Sequence, residues 1–159
     1  MKRETALTNV SFNFLSKSSD FLNLILNNIT SCVLLMNKKM ELQAYNDSLM
    51  TIFSNSANEH KLYERCGEVI GCAYSIEENK DCGETSYCNK CDLRLSSLDS
   101  YTNNTPIFKE NILRPFYNKN GQKEMKELQF STRLFIFDNE KYIIMIVDGK
   151  NSKSEERLN

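Results

Sequence analysis

Between residues 66 and 91 stand five of the chain's six cysteines and three of its five glycines. A segment of that composition lacks the apolar periodicity that organises helices and strands, so something other than a hydrophobic core must hold it. Cys72, Cys82, Cys88 and Cys91 follow the spacing C-x9-C-x5-C-x2-C. A C-x-x-C pair aims two sulfurs at one centre across a tight turn, and two further thiolates close a tetrahedral or cubane site. Gly71 and Gly83 let the backbone bend around such a centre, and N–H groups near Gly83 are placed to hydrogen-bond the sulfurs. Four thiolates repel one another, so without metal they must be protonated or oxidised. Four occupancies fit: an iron–sulfur cluster, zinc, a reversible thiol–disulfide switch, or inert thiols. Structural zinc favours two paired knuckles, whereas this segment has one C-x-x-C and two isolated cysteines. The irregular spacing suits a 4Fe-4S cluster better than the alternative, zinc.

At 159 residues, 40% apolar and 26% charged, the chain has enough material for one domain with its own core. A net charge of −1 with scattered Lys and Arg excludes a concentrated basic surface, so nucleic acid is not expected as a partner. The start, MKRETALTNVSFNFL, has no continuous apolar run of the signal-peptide kind. No stretch approaches the ~20 apolar residues that span a bilayer. The expectation is a cytoplasmic chain away from membranes, with cysteines kept as thiols or ligands.

Residues 1–17 are weakly patterned and read as a flexible arm. From 18, Phe21, Leu22, Leu24, Ile25, Leu26 and Ile29 give a broad helical stripe behind Asp20. Ser31–Met36 and Met40–Tyr45 read as a strand hairpin around Asn37-Lys38-Lys39. Asn46 or Asp47 is placed to cap the helical run Ser48–Phe53 with its side-chain oxygen. Asp92–Leu98 suggests a short helix leaving the cysteine segment. Ile107–Tyr117 reads as a strand that Pro115 pushes to an edge or a bulge. Asn118–Gly121 is a strong turn, and Leu128, Phe130, Thr132, Leu134 and Ile136 alternate along the next strand. Asp138-Asn139-Glu140 turns the chain into a last strand, Tyr142–Val147, before a charged tail at 151–159. Two strands, a helical middle and three strands predict an α+β fold: a five-stranded antiparallel sheet with helices on one face, a cysteine-rich loop, and a pocket between sheet and helices.

Over roughly 18–150 this order resembles the PAS family of sensory domains. The likeness rests on "LLMNKKMELQAYNDSLMTIF", where a hairpin runs into an Asn-led helix, and on the closing "YIIMIVDG". The insert at 66–91 is similar to a PAS subgroup with a GC…CG…C-x-x-C segment, whose cysteines match Cys72, Cys82, Cys88 and Cys91. Cys66 lies where that subgroup often has proline and stays outside the set. The resemblance implies a regulatory domain that senses a signal and dimerises through its leading helix. Its output would be a separate protein or a domain beyond this piece of chain. Oxygen or a redox change at the cluster would loosen the loop and alter those contacts.

Several residues carry a plainer explanation. Cys32, in an apolar strand, reads as a small core residue, and Cys66 as a spare ligand, a resolving thiol or neither. His60 is the only histidine; it could ligate a haem, but a lone histidine in a polar stretch is ordinarily just exposed. Phe130, Phe135, Phe137, Tyr117 and Tyr142 read as core or interface, and Asp81 and Glu84 as solvated. No Ser/His/Asp set, phosphate loop or HExxH is present, so an enzyme is not expected.

Overall fold

Asn37 starts the first hairpin by accepting from the N–H groups of Lys39 and Glu41 through its side-chain oxygen, an Asx-type turn. It joins β1 (Cys32–Met36) to β2 (Leu42–Tyr45). The computed structural model that carries these elements describes residues 19–53 and 62–152. The expected arm at 1–17, His60 and residues 153–159 of the tail lie outside the described residues.

The last third forms β3 (Ile107–Tyr117), β4 (Lys123–Phe137) and β5 (Glu140–Asn151). Gly121, at φ 76°, supplies the left-handed position in the first of these turns. Asp138 and Asn139, at φ 51° and 65°, make the second. The five strands are antiparallel in the order β2-β1-β5-β4-β3, so β3 is an edge and tolerates Pro115. β5 exceeds the expected Tyr142–Val147, because backbone pairing with β4 continues to Lys126↔Asn151 after the apolar residues have ended.

One face of this sheet holds the core. Cys32, Leu34 and Met36 on β1, Leu128 and Phe130 on β4, and Ile143, Met145 and Val147 on β5 are all buried. The period of two puts them on the same side. Covering them are α2 (Ser48–Ile52), α3 (Cys66–Ile70), α4 (Ala73–Glu78) and α5 (Asp92–Asn103). Phe53 meets Phe116 of β3 edge-on, with centroids 5.2 Å apart. α5 runs well past the expected Leu98. Its inward face is Leu93 followed by Ser96, Ser97 and Ser100, and beyond Leu93 it docks by polar contacts: the Ser100 and Thr132 hydroxyls lie 2.7 Å apart, and Thr132 donates to the Ser96 carbonyl.

The leading helix, α1 (Ser19–Asn28), lies on the other face. Its Leu22 and Leu26 border a groove with Val33, Leu35, Phe135 and Ile144. None of its described side chains is buried, and Leu22 and Leu24 are 56% and 63% exposed. Asn46, expected as a helix cap, does a different job. Its oxygen accepts from Val33 N–H, and its amide donates to the carbonyls of Leu26 and Ser31. Asp47 caps α2 by position but makes no side-chain cap bond. The Asn46 side chain is used up in tying the end of α1 to β1.

Candidate functional site

Each cysteine of the segment is held by its own local device. Gly71, left-handed at φ 79°, ends α3 and turns the chain into Cys72. Cys72 N–H donates to the Gly67 carbonyl, and the segment is bridged to β3 at Cys72↔Phe116 and by Tyr117 N–H to the Gly71 carbonyl. Cys82 is clamped at both backbone groups: its N–H donates to Glu68, and its carbonyl accepts from Arg65 at 2.7 Å. Cys88 opens a short 3-10 turn, Cys88–Lys90. Its Sγ accepts from Gly83 N–H at 3.1 Å and lies 2.9 Å from the Thr85 hydroxyl. Cys91 stands at the N-cap of α5, where its Sγ accepts from Arg94 N–H at 3.5 Å. A sulfur at a helix N-terminus sits where negative charge is favoured.

All four border one cavity, together with Cys66, Met40, Ile70, Leu93 and Arg114. Sequence spacing left Cys66 aside; as the first residue of α3 it is buried against the same space. Burial pushes the Cys66 thiol well above its ordinary pKa, helped by the neighbouring cysteines, and pushes Cys82 up to about 11. All six cysteines are free thiols. The open space among the sulfurs is about 20 Å³. That is room for about one water, so a larger group enters only as the part-buried sulfurs give way.

Gly67 decides how closely Cys82 approaches. A Cβ at Gly67 would lie 2.9 Å from both Cβ and Sγ of Cys82. We expect Gly67→Ala to destabilise the chain by about 1–3 kcal/mol through overpacking. It should also speed labelling of Cys82 by a thiol reagent. A denaturation midpoint and labelling rate equal to wild type would contradict this.

The residue that spacing could not reveal is Arg114. It is 3% exposed, on the inward face of β3. Its Nη1 donates to Cys91 Sγ at 2.7 Å, and its Nη2 to Cys72 Sγ at 3.6 Å. The guanidinium lies 5.0 Å from the Tyr87 ring centre and 5.7 Å from that of Tyr74, and the two rings stack at 4.2 Å. Among the described residues every ion pair uses a lysine, so no carboxylate balances Arg114. Its Nε has no partner. Burial works against its charge, yet the sulfurs of Cys91 and then Cys72 outweigh that and raise its pKa. A buried cation needs acceptors, and the two that Arg114 finds are sulfurs.

These donors suit a thiolate-held group. Among the described residues, no three His, Cys, Asp or Glu side chains are grouped tightly enough for a single metal ion.

The comparisons with known structures bear on the scaffold. The chain is similar to the PAS domain of nitrogen regulation protein NR(II) from Vibrio parahaemolyticus, with TM-score 0.55 and 13% identity over 81% of this chain and 97% of that one. It is also similar to the PAS domain of an HTR-like protein from Haloarcula marismortui, with TM-score 0.53 and 12% identity over 89% and 99%. The fold is PAS-like. A PAS domain from Colwellia psychrerythraea gives TM-score 0.54 at 8% identity over 85% and 97%. No protein-family model and no curated protein matches the chain. Identities this low carry the PAS-like architecture and nothing about the cysteines. No helix among the described residues is long and apolar enough to cross a membrane.

Proposed function

We propose that this chain is a sensory PAS module, not an enzyme, in which Cys72, Cys82, Cys88 and Cys91 hold an iron–sulfur cluster that reports oxygen or redox state. The observation that carries the reading is the convergence of those sulfurs on one cavity with donors aimed at them: Gly83 N–H on Cys88, Arg94 N–H on Cys91, and Arg114 on Cys91 and Cys72. Such donors stabilise thiolate-ligated iron and tune it. The cluster would supply one-electron chemistry and sensitivity to oxygen. The chain's residues hold the loop: Arg65 and Glu68 fix Cys82, and the bridge to β3 fixes Cys72. The PAS-like neighbours support a signalling role, a nitrogen regulation protein and a light-oxygen-voltage receptor being among the proteins that carry them.

The output is a homodimer or a partner contact on the far face. Leu22, Leu24 and Ile25 of α1, with Phe137 and Ile146 of the sheet, leave an exposed apolar surface there. Purification under nitrogen, followed by iron, sulfide and zinc analysis with a visible spectrum, tests the centre; light scattering tests the dimer. Iron and sulfide in a coloured protein are expected. A colourless protein with one zinc per chain, or no metal, would overturn the cluster.

A further inference from the structure

We infer that Arg114 is the fixed counter-cation of the cysteine centre, and that the stacked Tyr74 and Tyr87, by holding its guanidinium against Cys91 and Cys72, set the centre's one-electron poise. This rests on the cluster proposed above. Three features single Arg114 out. It is sealed from water, so its field at the sulfurs is weakly screened. It spends two donors on sulfur while a third stays unpaired, an arrangement aimed at the sulfurs at the expense of its own satisfaction. Its cross-strand neighbour is Lys126, another buried cation, which is neutralised separately by Glu124. Nothing but the sulfurs is left to balance Arg114 among the described residues.

A fixed positive charge favours whichever state of its neighbour is more negative. In a one-electron reduction by a small-molecule reductant, the reductant loses the electron, the centre gains it, and no bond to the chain forms or breaks. The reduced state is the more negative, so Arg114 makes the centre easier to reduce. Arg114 here is a positioning and tuning residue; it ligates nothing.

The test uses the full chain reconstituted anaerobically with ferrous iron and sulfide, assayed for both, and titrated optically with dithionite. Arg114→Gln should lower the midpoint potential by at least tenfold in the reduction equilibrium, about 59 mV for one electron. Arg114→Lys should recover most of that shift. Tyr87→Leu, which keeps the charge but frees it to move, should shift the potential the same way by less. Wild-type potentials in loaded Arg114→Gln and Tyr87→Leu would overturn the role of Arg114 and leave the cluster standing. If Arg114→Gln does not load, Tyr87→Leu decides alone. A potential as low in Arg114→Lys as in Arg114→Gln would trace the effect to packing rather than charge, which also overturns it. Wild-type chain that takes up no iron and sulfide sinks both the cluster and the tuning role.

Discussion

In metal-free protein, Cys91→Ala should cost far more stability than Cys88→Ala, although both remove one thiol from the same C-x-x-C. Cys91 is the nearest partner of the buried Arg114 and accepts from Arg94 N–H at the head of α5. Truncating it leaves a guanidinium 3% exposed with only the longer contact to Cys72. Leaving a buried charged donor without its nearest acceptor costs more than the about 1–3 kcal/mol of a neutral one. Cys88 faces only Gly83 N–H and the Thr85 hydroxyl, both neutral. Its loss should cost about 1 kcal/mol, the scale of one ordinary hydrogen bond. Urea denaturation of the two variants under reducing conditions, with chelator present, measures the difference. Equal midpoints would mean that Arg114 does not depend on Cys91.

The second large effect is expected from Asn46→Ala, remote from the cysteines. Asn46 is 2% exposed and serves three backbone groups, Val33 N–H and the carbonyls of Leu26 and Ser31. Alanine leaves each without its partner, at about 1–3 kcal/mol per buried group, toward the low end because these are part-buried. The consequence should be local. α1 buries none of its described side chains, so this amide tie does much of the work of holding it, with Ser48 and Asn27 assisting. Hydrogen exchange should quicken across α1 while β4 and β5 keep their protection. Uniform loss of protection, or no change in α1, would argue against Asn46 as its anchor.

The sheet was legible because its signals are local. Asn118–Gly121, Asp138-Asn139 and the alternation from Leu128 to Ile136 each specify turn or strand within a few residues. α5 was read short because Ser96, Ser97 and Ser100 occupy its inward face and leave no apolar stripe. Asn46 misled for a similar reason: Asn before a helix is a sound capping signal, but the competing bonds come from 13 to 20 residues away. The spacing of Cys72, Cys82, Cys88 and Cys91 pointed to one centre, and they do share a cavity with Cys66. Arg114 gave no sequence signal, since it meets Cys91 across 23 residues and Cys72 across 42. Its meaning exists only once β3 is paired and the loop is folded onto it.

The bridge from Gly71 and Cys72 to Phe116 and Tyr117 occupies part of the outer border of β3 that would otherwise be bare. An uncovered border of this kind is a template for strand addition from another molecule. The cysteine loop is therefore also a guard against self-association. Damage that unseats it should turn the protein adhesive, and turbidity should rise as the loop is lost.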